Sequence, residues 1–292
     1  PSSMNEFLFH GTLVTTNRIL YTPSSFARTN LLHLQETGVL QAQKPHTSKR
    51  KNLISYLFFA VESGSGTLQY DNKQYALKAG DCVFIDCRKP YAHHTSDKNL
   101  WKLHWVHFYG PAMNGIYEKY VERGGLPAFH PDNIDSFLIL MAELYEIAQS
   151  NEYVKDMSIQ ENLASLLTLI MKESWHPEIS RRSSSKKQNL LSVKKYLDEH
   201  YTCKITLDEL AERFFINKYY LTRVFKEQYG TSINGYLHEK RITRAKQLLR
   251  FTEEPIEKIC VECGVDDANY FTRLFKRVEG VTPGEYRRVW QG

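Results

Sequence analysis

Hydrophobic and polar positions change their period once along the chain. Between residues 28 and 109, short β-branched and aromatic runs are broken by turn residues, as in FFAVESGSGTLQY (58–70) and KQYALKAGDCVFID (73–86). Asp71-Asn72 and Gly80-Asp81 punctuate these runs. The pattern predicts closely spaced antiparallel strands in a small barrel or sandwich. In LWKLHWVHFY (100–109), Trp101, Leu103, Trp105 and His107 fall on one strand face; Lys102, His104, Val106 and Phe108 fall on the other. From Asp132 the period lengthens. DNIDSFLILMAELYEIAQ and SIQENLASLLTLIMKESW place apolar residues three and four apart, which predicts two amphipathic helices. Within them Leu163, Leu166, Leu167 and Ile170 form a stripe that must bury against the strand domain or against a second copy of the chain.

The segment HPEISRRSSSKKQN (176–189) is rich in serine and basic residues and reads as a flexible polar linker. Everything after it has helical spacing, and it contains a repeat. YLTRVFKEQYGTSINGY (220–236) and YFTRLFKRVEGVTPGEY (270–286) match at seven positions with a constant offset of fifty. Leu221, Val224 and Phe225, and in the second copy Phe271, Leu274 and Phe275, bury one side of a short helix. The opposite side carries Lys218, Tyr219, Thr222, Arg223 and Lys226 in the first copy, and Asn269, Thr272, Arg273 and Lys276 in the second. Asn217 and Asp267 are expected N-caps, and Pro255 suits the first turn of an upstream helix. TLDELAERF and PIEKICVEC supply a shorter helix ahead of each copy. A short helix, a tight turn and a second helix with a basic polar face is the helix-turn-helix pattern, whose second helix fits the major groove. Packing alone would not require Arg and Lys to recur on the solvent side. YLHEKRITRAKQLLRFTEEP can form one helix between the copies, with Ile242, Ala245, Leu248 and Leu249 on one side. Such a strut would set the spacing of two readers, about 34 Å for successive grooves on one DNA face.

Charge sharpens this division. Residues 1–177 hold 16 basic and 17 acidic residues, while residues 178–292 hold 22 and 16. The basic excess lies with the repeat, as a nucleic-acid partner requires. No apolar run reaches the length of a membrane span, no secretory signal is legible, and Pro1-Ser2-Ser3 ahead of Met4 reads as an expression scar. Five scattered cysteines suit reduced thiols and a cytoplasmic location. Enzymatic fingerprints are missing: the chain has no P-loop, nucleophile elbow or dinucleotide motif. A metal-dependent enzyme on a cupin-like barrel would need a His-x-His pair, but SYLFFAVESGSG contains no histidine. His93-His94 are adjacent and point to opposite faces of a strand. Cys260-x-x-Cys263 has no companion pair and reads as structural. We therefore expect no metal and no cofactor.

Residues 190–290 resemble the DNA-binding domain of the AraC/XylS family of bacterial transcription regulators. The resemblance rests on LDELAERFFINKYYLTRVFKEQYGTSINGYLHEKRITRAKQLL and IEKICVECGVDDANYFTRLFKRVEGVTPGEYR, including a one-residue length difference between the two units. Cys260 and Val265 depart from the family's Ala and Phe. The resemblance implies an N-terminal cupin-like β-barrel with an arm (4–130), a helical dimerisation segment (131–177), a linker (178–188) and an all-α domain with two helix-turn-helix units (189–292). It implies double-stranded DNA, a saccharide effector, a homodimer through the Leu163–Ile170 stripe, and RNA polymerase as partners. Aligned on WKLHWVHF, Trp105 takes the place of a sugar-stacking tryptophan. His46, Lys49, Arg50, His93, Thr95 and His107 are candidates for the sugar's hydroxyls. Leu103 and Thr95 replace a His and a Tyr of the arabinose regulator, so a changed sugar or a non-sugar effector is expected. EFLFHGTLVTT is expected to close over a filled pocket.

Overall fold

The computed structural model describes residues 14–175 and 183–291. The chain divides into two compact units, Pro1–His176 and Pro177–Gly292. The first unit runs β1 (Val14–Leu20), α1 (Ser25–Asn30), β2 (His33–Ala42), β3 (Thr47–Arg50), β4 (Tyr56–Ser63), β5 (Ser65–Tyr70), β6 (Lys73–Lys78), β7 (Cys82–Asp86), β8 (Tyr91–Thr95), β9 (Lys102–Tyr109), α2 (Met113–Glu122), β10 (Ala128–Phe129), α3 (Asp135–Gln149) and α4 (Lys155–Glu173). All pairings are antiparallel. One sheet has the order β1-β2-β9-β4-β7-β10 and the other β3-β8-β5-β6.

The six-stranded sheet is covered on both sides, and strand alternation sorts its side chains between two cores. Tyr56, Phe58, Phe84, Val106 and Phe108 face α2, α3 and α4. Leu57, Phe59, Val83, Ile85, Leu103 and Trp105 face the second sheet, which contributes Leu68, Tyr70, Leu77 and Tyr91. The β5–β6 hairpin closes through Asp71 and Asn72, both at positive φ (50° and 62°). Two such residues are what a two-residue type I′ turn demands.

Several boundaries differ from the sequence reading. A strand, β1, begins at Val14, inside the stretch assigned to a closing arm; residues 4–13 of that arm lie outside the described residues. Helix α1 occupies part of a region read as strand, because Ser24 caps it by accepting from the Ala27 amide. The Leu163–Ile170 stripe is corrected outright. Leu163, Leu166, Leu167 and Ile170 are 0–6% exposed and pack into the core beneath the sheet. Side chains closed off within one chain cannot form the surface between two.

The second unit is all helix: α5 (Ser183–His200), α6 (Leu207–Arg213), α7 (Lys218–Tyr229), α8 (Ile233–Phe251), α9 (Ile256–Glu262), α10 (Ala268–Glu279) and α11 (Pro283–Gln291). Residues 183–188, read from composition as linker, open α5; residues 178–182 lie outside the described residues. The helix is anchored further on, where Leu190, Val193 and Leu197 are buried. Asp198 gathers Lys194 (3.1 Å), Lys240 (2.8 Å) and the Tyr236 hydroxyl, tying α5 to α8. Burial raises the Asp198 carboxyl, but hydrogen bonds from Lys240, Tyr236 and Lys194 outweigh it and hold it at about 2. Ile242, Ala245, Leu248 and Leu249 of α8 join α9–α11 in one core. Pro255 is the N-cap of α9 rather than its first helical residue.

Gly264, at φ 79°, ends the α9 segment, and a Cβ there would stand 2.6 Å from the Thr202 backbone. Gly264→Ala combines backbone strain with overpacking, so we expect destabilisation by ~2–4 kcal/mol. Hydrogen exchange should show lost protection in α8–α11 and unchanged protection in the β-sheets.

Candidate nucleic-acid interface and ligand pocket

Helices α7 and α10 are set in place by the same local devices. The Asn217 side chain accepts from the Tyr219 and Tyr220 amides at 3.0 and 3.2 Å. Asp267 accepts from the Asn269 and Tyr270 amides at 2.8 and 3.0 Å. Gly230 and Gly280, at φ 70° and 80°, end the helices by donating to the Lys226 and Lys276 carbonyls. Each helix buries its three-residue apolar face as the spacing predicts. Ahead of α7, Thr206 and Glu209 form a reciprocal capping box on α6. The α9–α10 turn is one residue longer than the α6–α7 turn, as the repeat implies. At 1.5 Å per residue the nineteen-residue strut α8 spans about 28 Å.

The faces left to solvent match the expected readers. Tyr219, Thr222, Arg223, Lys226, Asn269, Arg273 and Lys276 are exposed, while Lys218 and Thr272 are half-exposed. Some are engaged within the chain. Lys218 meets Asp208 at 3.0 Å, Arg223 lies 3.9 Å from Glu227 and 5.6 Å over the Tyr220 ring, and the Thr222 hydroxyl donates to the Lys218 carbonyl. Exposed pairs of this kind are worth about 0–1 kcal/mol, so DNA can displace them. Arg277, also exposed on α10, escaped the sequence reading because Glu227 occupies its place in the first copy.

The N-terminal unit brings together a second set of side chains at one end of its inter-sheet core. Trp105 of β9 lies between Gly38 of β2 and Phe59 of β4. Gly38 leaves room for it, since a Cβ there would sit 2.7 Å from the indole. Arg18 of β1, opposite Gly38, stacks its guanidinium 5.1 Å from the Trp105 ring, and the indole N–H donates to Glu36 at 2.9 Å. Glu36 arrives through a β-bulge. Register shifts between Leu34 and Glu36, so Leu34 pairs with Phe108 on the helix-covered face while Glu36 pairs with His107 on the inner one. His107 Nδ1 is 2.9 Å from the Ser55 hydroxyl. Across the core, His93 lies against Tyr91, Phe59 and Trp101. The β3–β8 register puts Ser48 and Arg50 on the same side as Tyr91 and His93, and His46, just ahead of β3, is close enough to act on the His93 ring.

Of the seven pocket residues expected from sequence, five therefore converge: Trp105, His93, His107, His46 and Arg50. Two do not. Lys49 stands on the opposite face of its strand, paired with Ala92; it lines an open cleft with Gln69 and Gln74 that Arg50 and Tyr91 also border. Thr95 is wholly buried, and its hydroxyl accepts from the Trp101 amide at 3.1 Å. Trp105 itself is 7% exposed beneath Arg18, so it is not an open platform in this state. Arg18, Glu36, Ser55 and Tyr91 join this cluster without having been expected there. Arg18, Glu36 and Ser55 lie on or beside other strands, far from Trp105 in sequence, and no local motif marks them.

Burial pushes the His93 imidazole down to about 3, with the charges of His46, His107 and Arg50 acting the same way. His107 is pushed down to about 4 by burial, against Glu36 and with Arg50 and Arg18. Both rings are neutral at pH 7 and able to donate and accept. Among the described residues, His93 Nδ1 and the Trp101 indole N–H are buried without a hydrogen-bond partner. Cys260, by contrast, donates to the Val265 carbonyl at 2.7 Å, as suits a structural thiol.

The histidines give a pH dependence of definite sign. Unfolded imidazoles, near 6.5, take up protons that the folded rings refuse, so stability is lost as pH falls below about 6.5. We expect the melting temperature of the N-terminal unit to drop between pH 6.5 and 5.0, above the carboxylate range. A His93→Leu variant should show a shallower slope in the same calorimetric series.

Comparison with known proteins follows the same division. Residues 35–185 match the family description "AraC-like ligand binding domain", and residues 210–289 match "Helix-turn-helix domain". The uncharacterized HTH-type transcriptional regulator YijO of Escherichia coli K12 is 33% identical over 110 residues, 37% of this chain and 39% of that protein. The chain thus spans about two fifths of that relative. The HTH-type transcriptional activator RhaS of Escherichia coli O139:H28 is 26% identical over 250 residues, covering 80% of this chain and 84% of the relative. The C-terminal domain of AraT, a response regulator from Geobacillus stearothermophilus, is 33% identical over 35% of this chain and 84% of that one, with a TM-score of 0.34.

Proposed function

The chain belongs to the AraC family of DNA-binding transcription regulators, and from that membership we propose that it reads a two-part operator through α7 and α10 under control of a small effector. The observation that carries this reading is the duplicated recognition helix: the same cap, the same buried triad and a basic face in both copies. Arg223 and Arg273 are the base readers, since a guanidinium can hold guanine with two hydrogen bonds. Lys226 and Lys276 neutralise phosphates. Tyr219, Thr222 and Asn269 tune the sequence.

The effector is a mono- or oligosaccharide held at the convergent end of the inter-sheet core. An indole beside neutral imidazoles, with two buried polar atoms lacking partners, suits a ligand rich in hydroxyls. Arg18 and Arg50 favour a sugar that also carries a carboxylate or phosphate. Two copies pair through the outer side of α3 and α4, where Ile139, Leu140, Ala164, Ser165 and Thr168 line a groove of ≈ 620 Å3. RNA polymerase is the protein partner when bound DNA is transcribed.

Two measurements test this. Against a duplex selected by the full chain from a random 30-bp pool (about three turns of B-DNA at 10–10.5 bp per turn), Arg223→Ala and Arg273→Ala should each lose roughly 1–3 kcal/mol, relaxing preference at particular base pairs. Lys226→Ala and Lys276→Ala should weaken every sequence alike and reduce the salt slope by about one. Unchanged affinity in both arginine variants would refute the assignment of the recognition helices. Thermal-shift screening with neutral sugars, uronic acids and sugar phosphates tests the effector. A true ligand at 100 times its Kd should stabilise by about 2.7 kcal/mol, and Arg50→Ala should shrink the shift for the anionic sugars. A shift that Arg50→Ala leaves intact places the effector elsewhere.

A further inference from the structure

The turn between α6 and α7 contains an oddity that its own fold does not require. Phe215 adopts φ 54°, in the left-handed region. The other described non-glycine residues with positive φ are Asn52, Asp71 and Asn72, of the two types that tolerate it. Phenylalanine is not one of these, and its conformation carries strain. Its side chain is 96% exposed, so burial returns nothing for that strain.

The second helix-turn-helix supplies the comparison. The left-handed position of its turn is Gly264, at φ 79°, where the Thr202 backbone leaves no space for a side chain. Packing dictates glycine there. At position 215 the space is open, and glycine or asparagine would serve the turn without strain. A large apolar side chain kept there, strained and unburied, points to a partner outside the chain.

Its neighbours indicate which partner. Phe215 lies two residues before Asn217, the N-cap of α7, and four before Tyr219, which is 76% exposed. The Lys218 ammonium stands 5.6 Å from the Tyr219 ring. This end of α7 therefore combines two exposed aromatic rings with a cation. In a major groove, thymine methyl groups lie beside phosphates, and a phenylalanine can meet that methyl. We propose that Phe215 contacts the C5-methyl of a thymine at the edge of the site read by α7 and adds a preference for thymine at that position. The inference rests on α7 being a DNA reader.

The test uses the full chain and its pool-selected duplex. Phe215→Gly should raise the melting temperature by about 2–6 °C through relief of strain. The same variant should bind about 3–10-fold more weakly, a loss typical of one modest base contact. Its own pool selection should lose preference for thymine at one position. Replacing that thymine by uracil should weaken the wild type by a similar factor and leave Phe215→Gly unaffected. Phe215→Tyr, which keeps the ring, should bind like the wild type. If Phe215→Gly lowers the melting temperature, the ring serves packing and the proposal falls. If it binds as tightly as the wild type while Arg223→Ala weakens, the Phe215 contact alone is refuted. If both bind normally, the α7 reading fails with it. If binding holds but transcription with purified polymerase drops, the partner is a protein and the DNA contact is overturned.

Discussion

Burial of both faces of the six-stranded sheet constrains every strand that enters it. β4 and β7 have almost no solvent side and β9 only a partial one, so a one-residue slip would exchange their two sets of large side chains between cores of different shape. Phe58, Phe84 and Phe108 on one face and Phe59, Leu103 and Trp105 on the other each stabilise by about 1.5–3 kcal/mol when buried, so the register is strongly specified. That rigidity fixes the cluster proposed to hold the effector. Trp105 and His107 are held by the same strand that carries Val106 and Phe108 into the helix-covered core. One interruption of the ladder, the bulge beside Gln35, delivers Glu36 to the indole. Without it, Glu36 would share the face of Leu34 and lie against α4.

The same two-sided burial explains why the pocket was only partly legible in sequence. Alternation in WKLHWVHF correctly separated Trp105 and His107 from Val106 and Phe108, because period-two patterning is local. The bulge is not local. It depends on the pairing of β2 with β9, more than seventy residues away at this point, and LLHLQETGVL carries no sign of it. Lys49 and Arg50 show the limit from another side. Both are basic and adjacent, and only the pairing of β3 with β8 decides which one faces His93.

The helical unit was far more legible, since caps, apolar triads and terminal glycines act within four residues of each other. Asn217 and Asp267 cap their helices as expected, and Gly230 and Gly280, shared by the repeat, prove to be the residues that end them. The misreadings came from composition and from incomplete stripes. The serine-rich stretch before Leu190 reads as linker by content, yet helix α5 runs through residues 183–188. The Leu163–Ile170 stripe was correctly apolar, but a stripe shows only that it must be covered, and the sheet covers it.

Equivalence in sequence also conceals an electrostatic difference between the two recognition helices. On α7, Lys218 and Arg223 have carboxylate partners in Asp208 and Glu227. On α10, no carboxylate among the described residues lies within ion-pair distance of Arg273, Lys276 or Arg277. The potential over α10 is therefore the less compensated, and its three cations have no ion-pair partner to give up. Screening between exposed charges is strong beyond about 8 Å at physiological salt, so this difference acts locally, at each helix's own stretch of duplex. The helix-turn-helix that contains α10 thus presents the less neutralised positive face. The helix-turn-helix that contains α7 instead exposes Tyr219 and Phe215 at its leading end and has Lys218 and Arg223 partly neutralised.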